Sequence, residues 1–150
     1  MRTYRLEREQ LVRRPVDEVF EFFARATNLE QITPPWLRFQ VLTPEPIAMD
    51  TGTLIDYRLR VRGVPLSWRS RIDDWRENER FVDRQLRGPY RLWHHTHEFE
   101  PAGNGTLVRD RVDYALPFGP LGEVAHRVVV ERDLGRIFDY RNATVARSLG

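Results

Sequence analysis

The stretch TLIDYRLRVRGVPLSWRSRIDDW, residues 53–75, decides the fold, because apolar and polar side chains alternate along it. This period of two is typical of strands with one buried face and one face in water. The spacing predicts strands over 53–62 and 65–75, joined by a hairpin turn at Gly63-Val64. The side chains expected on the buried face are Ile55, Tyr57, Leu59 and Val61, then Leu66, Trp68, Ser70 and Ile72.

The opposite face of these two strands carries an arginine stripe, defined by Arg58, Arg60, Arg62, Arg69 and Arg71. With Gly63-Val64 as the turn, Arg58 opposes Arg69, and like charges placed opposite each other destabilise a sheet. A solvated convex face explains the stripe. A docking surface for an acidic partner or an anionic membrane leaflet is the alternative.

Further strands are expected on both sides of this hairpin. Turn signals at Gly88-Pro89 and Gly103-Asn104-Gly105 separate strands predicted over 79–87, 91–100 and 105–115, and residues 3–12 form another. The pattern therefore predicts an antiparallel sheet of six to seven strands with one wet face.

Helical periodicity occupies the two remaining parts of the chain. Pro15, with two acids after it, favours a helix start, and a second short helix covers 28–32. After Pro120 one long helix runs to the end. The first helix has apolar Val16, Val19, Phe20 and Phe23, and the last has Leu121, Val124, Val128, Leu134, Ile137, Phe138, Val145 and Leu149. The order predicts an α+β helix-grip fold: a curved sheet wrapped around the C-terminal helix, with a cavity between them.

Composition excludes several kinds of protein. The chain has 150 residues, a usual length for one domain, with 24 basic residues, all arginine, 22 acidic residues and a net charge of +2. The absence of cysteine excludes disulfides and thiolate sites. The N-terminus is charged, with neither an apolar signal core nor a membrane-length apolar run, so we expect a cytoplasmic protein. Interspersed acids argue against nucleic-acid binding.

The strand over 91–100 carries the candidate chemistry. Trp93, His95, His97 and Phe99 share one face, and the aromatic residues at its two ends place that face on the cavity side. Two strand steps put the imidazoles about 7 Å apart. Asp83, Gln85 and Asp110 on the neighbouring strands complete an expected polar patch.

Three interpretations of the patch remain open. The histidines could be structural, each satisfied by a carboxylate on an adjacent strand. They could bind the polar end of a ligand, such as a quinone, keto or carboxyl group. They could also serve catalysis as acid and base, or ligate a metal. We predict neither a metal nor a cofactor, because no third ligand of suitable spacing is evident. The expected ligand-binding residues are Tyr57, Leu59, Trp68, Asp83, Gln85, Trp93, His95, His97, Phe99, Asp110, Tyr114 and Phe138.

Several local motifs resemble the START-like, or Bet v 1-like, helix-grip superfamily over essentially the whole chain. They are Pro15–Phe20, Asn28–Glu30, Thr33–Trp36, Phe81–Asp83, Gly88–Tyr90, Trp93–Phe99, Leu116–Leu121 and Ile137–Arg141. The chain is most similar to the bacterial polyketide cyclase/dehydrase or coenzyme Q-binding-like branch. The resemblance implies one ligand-binding domain over 1–150. It does not decide activity, because the superfamily includes carriers, receptors and aromatase/cyclases.

The leading functional hypothesis is a non-catalytic carrier or sensor that holds a lipid, quinone or polyketide-like molecule in an internal cavity. An alternative is a cyclase or dehydratase in which His95 or His97 is the acid/base and Asp83 or Asp110 orients it. A further alternative is an interaction module that acts through the arginine stripe.

Overall fold

The computed structural model describes residues 2–150 and contains one seven-stranded antiparallel sheet. The strand order across the sheet is β1-β7-β6-β5-β4-β3-β2, so all neighbours except β1 and β7 are consecutive in sequence. The strands are β1 (Tyr4–Val12), β2 (Gln40–Val41), β3 (Leu54–Val61), β4 (Val64–Arg76), β5 (Arg80–Arg87), β6 (Leu92–Ala102) and β7 (Gly105–Ala115).

The helices lie where periodicity placed them. They are α1 (Val16–Ala24), α2 (Asn28–Ile32), α3 (Gly119–Ala125) and α4 (Glu131–Leu149), and a π-helical turn, His126–Val130, joins the last two. Helix α1 packs on β6 and β7, and α4 packs on β1 and α2. A curved sheet wraps a long C-terminal helix, which confirms the predicted α+β helix-grip fold. No helix within residues 2–150 is long and apolar enough to cross a bilayer.

The predicted hairpin turn was wrong by one residue. Val61 pairs with Val64, so Arg62 and Gly63 form the turn, at φ values of 50° and 81°. A type I′ turn needs positive φ at both central residues and favours glycine in the second place, which explains the shift. Asp56 now opposes Arg69, and Arg58 opposes Ser67. The expected clash of like charges is therefore absent from this pair of strands.

The predicted apolar stripe of the C-terminal helix was wrong before residue 130. Leu121 is 76% and Val128 63% exposed, and Val124 is also exposed. The buried positions there are Gly122 and His126. The inner face thus follows Gly122, His126, Val130, Leu134 and Phe138 in steps of four. Hydropathy misses this face because its first two members are a glycine and a histidine.

A bulge in β4 turns Trp75 inward. The register between β4 and β5 shifts between Ile72 and Asp74, so the Trp75 side chain joins the core beneath α1. Its ring lies 5.1 Å from that of Phe20 in an edge-on arrangement. The bulge lies at the Asp73-Asp74 pair.

Candidate functional site

The structure brings four of the five predicted polar residues together beneath α4. Asp83, His95 and Asp110 stand on the adjacent strands β5, β6 and β7, where Asp83 pairs with His95. His95 Nε2 lies 2.7 Å from an Asp110 carboxylate oxygen, and His97 Nε2 lies 2.6 Å from Asp83 Oδ2. We call these four residues the His–Asp cluster. Their bonds run diagonally between strands and hold three neighbouring strands together.

The two imidazole rings are closer than strand spacing predicts. The ring centroids of His95 and His97 are 3.6 Å apart and the rings are stacked, although about 7 Å was expected. The prediction was wrong because side chains two steps apart lean towards each other when their carboxylate partners lie diagonally. The Phe81 ring stacks on the outer face of His97 at 4.0 Å, which continues the column.

Arg141, on the inner face of α4, is a cluster partner that the sequence reasoning missed. Its Nη2 lies 3.3 Å from His97 Nδ1 and 3.5 Å from Asp110 Oδ1. The guanidinium also lies over the rings of Phe23 and Phe138. A signal was available, because Arg141 stands in the helical spacing set by Leu134, Phe138 and Val145, where an apolar residue is expected.

Hydrogen bonding assigns the tautomer of His97. Because Arg141 can only donate, His97 Nδ1 accepts, and Nε2–H donates to Asp83. Burial lowers the pKa of His97 to about 4, so the ring is neutral at physiological pH.

Both carboxylates of the cluster are ionised. Burial alone would raise the pKa of Asp110, but the Arg141 charge and the His95 hydrogen bond hold it well below its usual range. Burial alone would also raise the pKa of Asp83, but the His97 hydrogen bond, the two imidazoles and the Arg141 charge together lower it. Two carboxylates and one guanidinium thus lie in a largely apolar interior.

One ring nitrogen of the cluster, His95 Nδ1, makes no hydrogen bond to the other cluster residues. His95 Nε2 is used by Asp110, and its other nitrogen, Nδ1, lies 4.0 Å from Asp83 Oδ2, beyond hydrogen-bonding distance. Asp83 is the most exposed member, with 20% of its side chain accessible. The side of the cluster that carries His95 Nδ1 and Asp83 is therefore the side that can meet another molecule.

Gln85 does not join the cluster. Its amide donates to the Tyr90 carbonyl at 2.6 Å and accepts from the Tyr90 N–H at 3.0 Å. Strand parity placed Gln85 correctly on the inner face, but its amide hydrogen-bonds to the loop between β5 and β6 and not to the cluster. Its predicted place in the polar patch was therefore wrong.

The predicted apolar lining residues all lie on the inner side of the fold, in different surroundings. Phe99 packs beneath α1, and the Tyr114 hydroxyl is 2.7 Å from His126 Nε2. Both side chains are therefore engaged in contacts within the protein. Trp93 and Phe138 pack together beneath α4. Tyr57 and Trp68 lie on β3 and β4, towards α2.

The interior packing divides into three groups of apolar side chains. Within residues 2–150, Leu59 is only 7% exposed, yet it packs in none of the three groups. Trp68 contacts both the group beneath α4 and the group around Tyr57. We call the region between these groups the Leu59 gap.

The phenol groups of Tyr57 and Tyr90 lie beside the Leu59 gap. Burial raises the pKa values of Tyr57 and Tyr90, and no hydrogen bond contributes to either shift. The charge of Asp83 adds to the shift of Tyr57, so the Tyr57 phenol lies near the Asp83 carboxylate. Both hydroxyls keep hydrogen-bonding capacity that a bound molecule could use.

Two surface grooves lie away from the cluster. One, of about 390 Å³, is at the edge of β3 and β4, and its lining includes Leu42 and Arg69 together with the predicted ligand-binding residues Tyr57 and Trp68. The other, of about 380 Å³, lies beside α3 and includes Arg2 and Glu123. Neither groove is the enclosed cavity that the sequence led us to expect.

Acidic partners neutralise much of the arginine stripe. Arg69 pairs with Asp56, Arg71 with Asp73, and Arg62 with Asp133. Among the described residues, Arg58 and Arg60 are the stripe members without an ion pair. This arrangement is typical of a solvated face.

Comparison with known proteins identifies the family. The family described as polyketide cyclase/dehydrase and lipid transport matches residues 12–139. The chain belongs to this family. Its membership, together with the fold, confirms the resemblance to the helix-grip superfamily. No curated protein matches the sequence significantly.

Solved structures show the same fold at low sequence identity. The Zhui aromatase/cyclase from Streptomyces sp. R1128 has a TM-score of 0.75 at 20% identity, covering 99% of this chain and 94% of that one. Protein CV1439 from Chromobacterium violaceum has a TM-score of 0.73 at 15% identity, covering 99% and 98%. Ara h 8.0201 has a TM-score of 0.65 at 17% identity, covering 95% and 97%. Such identities establish the fold alone.

Proposed function

We propose that this family member binds an apolar small molecule, of the lipid, quinone or polyketide type, in the Leu59 gap. It then acts as a non-catalytic carrier or sensor in the cytoplasm. The observation that carries the proposal is a buried leucine, Leu59, that packs in none of the three apolar groups and lies beside the phenol groups of Tyr57 and Tyr90.

The surroundings of the gap match what an amphipathic ligand needs. Trp68 and Trp93, whose ring centroids are 5.3 Å apart, offer flat apolar surface for a ring system or an acyl chain. The hydroxyl of Tyr57 and the partly exposed carboxylate of Asp83 offer one donor and one acceptor. Apolar walls with a few polar groups are typical of small-molecule sites.

A steric block at Leu59 tests the proposal. Leu59→Trp fills the gap, and Leu54→Trp is the matched control, because Leu54 is exposed on the same strand. With the neutral probe 1-N-phenylnaphthylamine, we expect saturable one-to-one fluorescence enhancement for the wild type and for Leu54→Trp. The affinity of Leu59→Trp should fall at least about tenfold.

The stability of Leu59→Trp provides an independent readout. Overpacking a filled core costs about 1–3 kcal/mol, whereas an indole that enters unfilled space costs little. Probe binding by Leu59→Trp equal to the wild type would contradict the proposal. So would a loss of stability in that range, measured by urea unfolding, because it would show that the site is already packed.

A second candidate function is an enzyme of the cyclase or dehydratase kind. It is favoured by one observation: Asp110 holds Nε2 of His95 and leaves Nδ1 facing the open side, as an oriented acid/base requires. Turnover of a polyketide or keto substrate that is lost in His95→Ala would support this role. Turnover that survives both His95→Ala and His97→Ala would eliminate it.

A further inference from the structure

The structure points to a divalent transition-metal site formed by Asp83, His95 and His97, and we propose that the chain binds zinc or a similar ion there. One carboxylate oxygen and one nitrogen from each ring lie within 4.8 Å of one another. Two histidines and one carboxylate form a donor set that zinc and iron(II) accept. The sequence admits metal ligation by the two histidines as one interpretation, but it does not indicate Asp83 as the third ligand, because Asp83 stands on a different strand.

His95 Nδ1 and Asp83 Oδ2 face each other across the triad. His95 Nε2 lies 2.7 Å from Asp110 Oδ1, and a ring that donates its single proton there presents a lone pair at Nδ1. The nearest carboxylate oxygen, Asp83 Oδ2, is 4.0 Å from that nitrogen and presents lone pairs of its own. Two acceptors facing each other inside a protein are unfavourable unless an electron-pair acceptor lies between them.

The distances suit an ion with short bonds. Zinc bonds of about 2.0–2.1 Å to nitrogen and oxygen place tetrahedral ligand atoms about 3.4 Å apart. The separation of His95 Nδ1 and Asp83 Oδ2 is 4.0 Å, and that of His97 Nε2 and Asp83 Oδ2 is 2.6 Å. The first pair must close and the second open, each by less than about 1 Å. The two rings must also turn out of their 3.6 Å stack, so that both lone pairs meet at one point.

The groups behind the triad already act as outer partners. Asp110 fixes the His95 ring through Nε2, as carboxylates commonly do for metal-bound histidines. When His97 ligates through Nε2, its ring proton moves from Nε2 to Nδ1, and Asp110 Oδ1 lies 3.5 Å from Nδ1 to accept it. Arg141 then keeps its contact with Asp110.

The charge balance also favours a cation. The two carboxylates of Asp83 and Asp110 outnumber the single guanidinium of Arg141, so the cluster has room for one further positive charge. A buried net charge is costly unless it is compensated. The part of Asp83 that solvent reaches gives an ion access to the site.

Cobalt and zinc titrations of the purified full chain, stripped with a chelator, test the proposal. We expect one equivalent of Co²⁺ to give the intense visible bands of low-coordinate cobalt, and Zn²⁺ to displace it. His95→Gln and Asp83→Asn should weaken zinc binding at least about 100-fold, and Asp110→Asn about 10–100-fold with unchanged stoichiometry. His94→Gln, on the opposite face of the same strand, is the control and should bind as the wild type.

Two results would overturn the proposal: no stoichiometric binding of either ion by the wild type, or full affinity in His95→Gln. If the cluster variants do not fold by circular dichroism, the wild type still decides the question, because bound Co²⁺ must shift the NMR signals of two imidazoles. Probe binding by the metal-free protein tests the proposed apolar ligand separately, so failure of one proposal leaves the other standing.

Discussion

His95 Nε2 and the carboxylate of Asp110 lie 2.7 Å apart, and both side chains are about 95% buried. This pair joins β6 to β7 beneath α4, and Arg141 supports it from the helix. The pair links the sheet to the helix that grips it. Its contribution to stability can therefore be separated from any contribution to function.

Removing the Asp110 carboxylate should strongly destabilise the fold. Asp110→Ala leaves Arg141 and His95 without their anionic partner in the interior, so the free energy of unfolding should fall by about 3 kcal/mol or more. Asp113→Ala, on the outer face of the same strand, breaks only the partly exposed pair with Arg5 and should cost less than about 1 kcal/mol. Equal losses of unfolding free energy for the two variants, measured in urea, would show that the buried pair stabilises the fold no more than the surface pair does.

Stability should fall as the pH is lowered from 7 to 5. His97 has a folded-state pKa of about 4, against 6.5 for an ordinary histidine, so the unfolded chain takes up the proton first. The stability it confers is complete above pH 6.5 and is lost as the pH falls towards 4. His126, whose pKa burial also lowers, acts in the same direction. From His97 alone we expect a loss of about 2 kcal/mol between pH 7 and 5. An unfolding free energy that stays constant over this interval would contradict the neutral state of His97.

Two glycines of the C-terminal helical region should respond oppositely to alanine. At Gly122 a Cβ would collide with the Pro117 carbonyl oxygen, which is backbone, so Gly122→Ala should cost about 2 kcal/mol. At Gly135 the nearest atom is the flexible Arg8 guanidinium at 3.4 Å, so Gly135→Ala should add about 0.5–1 kcal/mol. Thermal unfolding of both variants checks this. Stabilisation by Gly122→Ala would mean that α3 does not pack as described.

The corrected hairpin register predicts which surface pair is coupled. Asp56 and Arg69 lie opposite each other and form two hydrogen bonds, of 2.8 and 3.1 Å. A double-mutant cycle on this half-exposed pair should give about 0.5 kcal/mol, and the same cycle on Asp56 and Arg71 should give nothing measurable. The reverse result would restore the register with Gly63-Val64 as the turn.

The longer strands, their inner faces and the helices could be predicted from the sequence because each depends on local periodicity, which the two residues of β2 are too few to show. The hairpin register could not, because either Arg62-Gly63 or Gly63-Val64 supplies a two-residue loop, and only backbone φ angles distinguish them. The exposed Leu121 and Val128 were missed for a related reason. The helix face is set by a close approach at Gly122 and by His126 against Tyr4, and hydropathy registers neither.

The candidate site was only partly predictable. Strand parity brought Asp83, His95, His97 and Asp110 to one face, because parity depends on counting residues along each strand. Their partners depend on diagonal geometry between strands and on α4, which supplies Arg141 from 31 residues beyond Asp110. Gln85 instead bonds the backbone of Tyr90 in the loop between β5 and β6. The spacing of residues along a strand does not reveal this contact.

The most direct test of the central claim is native mass spectrometry of the full chain after incubation with a fatty acid, a phospholipid or a long-chain quinone. The proposal predicts one bound apolar molecule per chain, retained by Leu54→Trp and lost in Leu59→Trp. The mass of the bare chain in every mixture would contradict it.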